Sequence, residues 1–390
     1  MIQLKHPFEP LHFLNALGAG GIGVSFFMYL MFLTKHPDTP VPTFESIMNA
    51  FVNGNIFLHV AIVISYIGMI VFSIYHFVLL FKKIGEYALF RKTEKYSALL
   101  NSNAEVQLMA IPLTFGMTMN VVFALSATLI PGLWGVIEYV FPFAVAGFLF
   151  IGIVAIMMLM RYYKRLFHLG NFDFEKNNNL SQLLSVFSLA MIGVGLSGPA
   201  AMTHNKITAS IALIASMGFF AIATTLFVVK FIIGFKSSLR SGWARENSPS
   251  IWIIIPFLTL FGIALIRYEH AFHTVINTEV AKSSFFIITT IFISLQIFFG
   301  ILGYLLMKEN GYFSDYTKGN KSSVGSLALI CPGVAATVFG FFFLHRGLVD
   351  NGVLEKFGIV YFIILVALLL IQFKTIGVYA QLNRKLIGRN

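Results

Sequence analysis

Charge is scarce in this chain, and cysteine is scarcer: 11% of the 390 residues are charged, and Cys331 is the only thiol. A single cysteine excludes an intramolecular disulfide and any thiolate metal cluster within one chain. So little charge beside 57% hydrophobic residues excludes a soluble globular body, whose water-facing surface it could not cover. Acidic residues are fewest, 16 Asp and Glu against 27 Lys and Arg, for a net charge of +11. In a soluble domain that excess would suggest nucleic acid. Here the basic residues sit in short loops between apolar runs, so the expected partner is the lipid bilayer and no nucleic acid. Soluble catalytic signatures are absent as well. The glycine run from Gly18 to Gly23 lacks the lysine of a P-loop and lies in an apolar segment, so it supports helix packing and no nucleotide-driven pump. No cleavable signal peptide is expected, because the opening MIQLKHPFEP carries prolines and a carboxylate and no convincing cleavage site follows the first apolar run.

What is present is a series of ten apolar runs, near residues 14–33, 56–81, 106–130, 136–160, 182–202, 207–235, 251–267, 283–307, 324–344 and 357–377. Each is long enough, at about 1.5 Å per residue, to cross a hydrocarbon core of about 30 Å. The fold class expected is an all-α integral membrane protein, one transmembrane domain of ten helices. Loops after the even runs, with the two termini, hold most of the Lys and Arg, among them Lys82, Lys83, Arg91, Lys92, Arg161, Lys164, Arg165, Lys236, Arg240 and Arg384. The positive-inside rule then places both termini in the cytoplasm and the chain in the inner (plasma) membrane. Lys230 and Lys374, near the ends of apolar runs, are expected to snorkel to the headgroups. Glu138 reads as an interfacial carboxylate or a proton-coupling group, and residues 44–55 as an interfacial or lid helix.

The odd runs are the interrupted ones. Pro112, Pro199, Pro256 and Pro332 fall inside runs three, five, seven and nine, and run one carries the glycines instead. Each proline removes a helical hydrogen bond; Pro332 leaves the Ala328 carbonyl without its usual donor. Unpaired carbonyls are tolerated at membrane depth only where they face protein or a water-filled path. Five hairpins, each one disrupted and one continuous helix, are therefore expected to surround a central pore or cavity lined by the odd helices.

That architecture resembles the family of TehA, the slow-type anion channels and the tellurite-resistance/dicarboxylate transporters, in which ten spans form five hairpins and the proline-kinked odd helices line the pore. The chain is also similar to the TsoY-type (seleno)protein group, for which Cys331, before Pro332 and Gly333, is the matching position. The resemblance implies transport of a small anion, a homotrimer with one pore per subunit, and a pore-plugging phenylalanine from the ninth span. Phe339 and Phe341 are the candidates, and the series Ala328, Cys331, Ala335, Phe339 favours Phe339.

The odd runs hold no fixed charge except near their ends, which suits conduction or weak selection. Arg267 and Arg346 form an expected vestibule that concentrates anions, or pair with Glu269, Asp350 or Glu355. Among histidines toward the outer side, His204, His270, His273 and His345 are candidate ligands for a metal or haem; His345 lies 13 residues after Pro332 and His270 lies 14 after Pro256. A second functional reading follows, a membrane redox protein that uses Cys331 in the cavity, in which a substrate thiol, a sulfur anion or a metal must serve as partner. A third is a scaffold or sensor subunit.

Overall fold

The computed structural model describes residues 8–386 except 171, 175, 176 and 178; the first seven residues of the opening stretch lie outside them. Ten helices are long and apolar enough to span a membrane: Pro10–Leu33, Ile56–Phe90, Asn103–Leu129, Leu133–Leu169, Ser181–Met202, Lys206–Ser241, Ser248–Ile276, Lys282–Glu309, Val324–Val349 and Ile359–Leu386, here the first to tenth spans. No described residue lies in a strand. This is an all-α, multi-pass membrane fold.

Burial sorts the spans by parity. In the odd spans 50% to 100% of the most apolar stretch is buried, in the even spans 17% to 33%, so the odd set is inner and the even set faces outward. The odd spans form a closed ring: first against third, third against fifth, fifth against seventh, seventh against ninth, and ninth back against first. Each even span covers a seam. The second lies on the first and third, the fourth on the third and fifth, the sixth on the fifth and seventh, the eighth on the seventh and ninth, and the tenth on the ninth and first.

Polar contacts join the last seam. The Tyr29 hydroxyl donates to Gln372 Oε1 at 2.6 Å, and Gln372 Nε2 donates to Ser25 Oγ at 2.7 Å. One helix end away, Asn15 Nδ2 donates to Asn383 Oδ1 at 2.6 Å and the Tyr379 hydroxyl to the Asn15 carbonyl at 3.0 Å. All four of Asn15, Tyr29, Gln372 and Asn383 are buried, where a lost partner is costly because no water replaces it.

The prolines act differently from the mid-helix kinks expected. Every odd span opens with a 3₁₀ segment, at Pro10–His12, Asn103–Met109, Ser181–Leu183, Ser248–Ile253 and Val324–Leu329. Pro112, Pro256 and Pro332 are each the third residue of the α-helix that follows. The carbonyls they would leave without a donor, those of Leu108, Trp252 and Ala328, lie in the 3₁₀ segments, where bonding is to the residue three ahead and the missing N–H is not needed. Pro199 is the exception, inside the fifth span toward its opposite end.

Lys230 does not snorkel. Its ammonium turns inward, donating to Ser185 Oγ at 2.8 Å and to the Gln182 carbonyl at 3.2 Å, with the rings of Tyr162 and Tyr163 beside it. Lys374 is exposed. A short helix at Phe44–Asn53 packs on the second and third spans, capped by Thr43 and tied down by Glu45 Oε1, which accepts from the Gly132 N–H at 2.6 Å.

Candidate functional site

A cavity of about 280 Å³ lies inside the ring and is lined by all five odd spans. It begins where the α-helices of the odd spans begin, at Leu17, Pro256 and Cys331, and reaches their far ends at Met202, His270 and Arg346. There Pro40 and Val41, from the loop after the first span, contribute to its rim. That loop is pinned by His36, whose Nδ1 meets the Thr39 carbonyl at 2.9 Å and whose Nε2 meets the Met31 carbonyl at 2.8 Å.

The ninth span lines the cavity with one stripe, Cys331, Val334, Ala335, Val338, Phe342 and Arg346. The spacing of three, four, seven, eleven and fifteen residues from Cys331 keeps to one helical face. Phe339, eight residues from Cys331, is rotated by about 80° at 3.6 residues per turn. It is fully buried against Gly262 and Phe292 instead. Phe341 is also fully buried, edge-on to Tyr29 and stacked on Phe32. Neither expected plug touches the cavity; the ninth-span phenylalanine that does is Phe342. Of the four prolines inside the odd spans only Pro256 lines it, while Pro112, Pro199 and Pro332 are buried elsewhere. Gly333 is a packing residue, pressed so closely against Thr375 of the tenth span that a Cβ would collide with its hydroxyl.

The walls are apolar and rich in thioethers. Met28 and Met31 come from the first span, Met117 from the third, and Met191 and Met202 from the fifth. Between the ends, the polar groups in the wall are two, Asn120 and Thr259, and each is at least partly engaged. Asn120 Nδ2 donates to Met191 Sδ at 3.4 Å. The Thr259 hydroxyl reaches the Ala335 and Ile255 carbonyls, both at 3.2 Å, and accepts from Gln296 Nε2 at 2.8 Å.

Charge enters at one end only. Arg267 Nη1 donates to the Val194 carbonyl at 2.9 Å and lies 3.5 Å from Ser197 Oγ; no carboxylate bonds this guanidinium among the described residues. Its remaining N–H groups, in the fixed fork of a guanidinium, are on a side chain that lines the cavity. Arg346 also lines it but is paired, Nη1 to Asp350 Oδ2 at 3.0 Å. The expected vestibule pair is thus brought together, with His270 beside it.

The four candidate metal or haem histidines are not. His204 is exposed, and its backbone N–H bonds Glu138. His273 is exposed too. His345 is buried away from the cavity, stacked on Phe32 at 4.6 Å with Nε2 3.3 Å from the Tyr361 hydroxyl. Among the described residues no three His, Cys, Asp or Glu side chains converge as a metal site requires. The reason is rotational: one residue of difference in spacing from the proline turns a helical side chain by about 100°, and the ninth span ends in a π-helical segment, Phe343–Val349, which adds to the shift. Glu138 accepts from the Thr203 hydroxyl and the His204 N–H, an interfacial tether between the fourth and fifth spans.

At the end opposite Arg267, next to Cys331, the odd spans bury Leu14, Leu113, Leu184, Ile254 and Ile330 at 5% exposure or less, and none of these lines the cavity. Apolar packing closes that end. Fold and site together define a multi-pass membrane protein with an axial cavity, basic at one end and apolar at the other. No protein-family model matches the chain, and no curated protein matches it.

Proposed function

We propose that the protein moves small anions across the membrane along the axis of the five-hairpin ring, with Arg267 as the cation that binds them. The observation that carries this reading is Arg267 itself, a guanidinium set in the wall of a largely apolar cavity and bonded to a carbonyl rather than a carboxylate. A cation so placed attracts a mobile counter-ion far more strongly than one in water: at 4 Å the attraction is about 4 kcal/mol at an effective dielectric constant of 20. Arg346 stands at the same rim, its charge offset by its pairing with Asp350, so Arg267 is the cation left for a mobile anion. The buried apolar tier beside Cys331 serves as the gate, and Phe342 narrows the path nearer the rim.

The inner odd and outer even spans support membership in the TehA and slow-type anion channel group, and with it a homotrimer. The concentration of Lys and Arg beyond the even spans supports residence in the inner membrane with both termini cytoplasmic. Purified protein in liposomes tests the reading. Chloride, nitrate or small-carboxylate flux is expected, and Arg267→Gln should cut it at least tenfold. Absence of flux in the wild type, or equal flux in Arg267→Gln, removes the proposal.

A further inference from the structure

Resting on the anion reading, the geometry points to a more definite occupant: an organic anion with one charged head and an apolar body, its head on Arg267 and its body lying along the cavity toward Cys331. Three observations carry this. First, charge is confined to the rim. Arg267, Arg346 and His270 line that end, and from Arg267 down to Pro256 the seventh span presents Ile266, Ile263, Leu260 and Thr259. The eleven helical steps from Pro256 to Arg267 cover about 16 Å.

Second, the interior offers almost nothing to replace an anion's water. The Thr259 hydroxyl is spent on Gln296 and Ala335, and one weak N–H bond ties Asn120 to Met191, which leaves one half-buried side-chain amide in the interior. An inorganic anion drawn off Arg267 into that interior would meet hydrocarbon, thioethers and a single amide, at the cost of a buried charge without a counter-charge. An apolar tail meets the same wall favourably, and unbranched thioethers adapt to its shape.

Third, the volume suits the ligand. About 280 Å³ exceeds what one halide fills and sits at the lower edge of the range in which small organic molecules are held. An anionic head at one end with an apolar body is the shape that uses both halves of the cavity.

Calorimetry on the full chain in nanodiscs tests this, with acetate, butyrate, hexanoate, octanoate, chloride and hexanol as probes and empty nanodiscs subtracted for lipid partition. Affinity should rise about fourfold for each buried methylene until the cavity is full. Chloride and acetate should bind weakest among the anions, and Arg267→Gln should weaken hexanoate at least tenfold. Val334→Phe, which occupies the deeper half without touching Arg267, should weaken octanoate more than acetate. Arg267→Lys, which keeps the charge, guards against a fold lost in the glutamine variant and should retain the dependence on chain length. Chain-length-independent binding of anions, or an unaltered octanoate-to-acetate ratio in Val334→Phe, overturns the amphipathic occupant and leaves the anion reading standing. Hexanol binding as tightly as hexanoate, or an unweakened folded Arg267→Gln, overturns both.

Discussion

Phe339 occupies the space that a side chain at position 262 would need: a Cβ built on Gly262 would lie 2.5 Å from the Phe339 ring. The pair is a contact between the seventh and ninth spans, outside the cavity, and it separates packing from gating. Phe339→Ala should lower stability by on the order of 2 kcal/mol, the low end for core truncations because lipid rather than water is the reference. It should leave anion flux per folded molecule unchanged. Phe342→Ala should do the reverse, raising flux with a smaller loss of thermal stability. Melting temperature and liposome flux, measured side by side, decide the assignment.

The seam between first and tenth spans should depend on its buried polar pairs. Tyr29→Phe removes the donor to Gln372 Oε1 and should cost about 1 kcal/mol, as single interhelical hydrogen bonds in membranes do. Gln372→Leu leaves the buried Tyr29 hydroxyl without its acceptor and also removes the donor to Ser25 Oγ, which keeps only its bond to the Ile22 carbonyl, and should cost more. Unfolding in graded detergent mixtures reads both.

Acid should loosen the rim helix Phe44–Asn53. The Gly132 N–H bonded to Glu45 holds its carboxyl below the usual carboxylate range. A depressed folded-state value means the tether contributes fully above the unfolded value and is lost as pH falls through the folded one, below about pH 4. Protection factors across residues 44–53, taken against the intrinsic rate at each pH, should fall in that window, and Glu45→Gln should already show low protection at neutral pH.

Cys331 gives a reporter of the cavity floor. A small methanethiosulfonate reagent supplied from the rim side should modify it slowly, and octanoate should slow the reaction further. Cys331→Ser should abolish labelling while anion binding persists; labelling indifferent to octanoate would place the ligand elsewhere.

The spans and their inner or outer rank were legible because each is a long apolar run, and because helix-disturbing residues gather in the odd set. The phase of the cavity stripe was not. The ninth span is apolar all round, so no polar face marks the cavity side, and its 3₁₀ start carries Ala328 out of step with Cys331. A count from Ala328 therefore chose Phe339, whereas a count from Cys331 reaches Phe342 at eleven residues. The inward turn of Lys230 is hidden for a different reason: its acceptors, Ser185 and Gln182, belong to another span, and a sequence does not say which helix faces which. His36 carries no motif; its role came from two backbone carbonyls that only the folded loop after the first span brings within reach.

The contact of the first span with the ninth and tenth sets a timetable for biogenesis. Asn15, Ser25 and Tyr29 enter the membrane with the first of these ten spans, yet Asn383 and Gln372 arrive with the tenth. Throughout synthesis the nascent chain holds an open arc with polar groups unmatched, a state suited to an insertase or chaperone and exposed to proteolysis. The ring around the axial cavity closes when the ninth span meets the first, and its last seam is sealed only when the tenth seats.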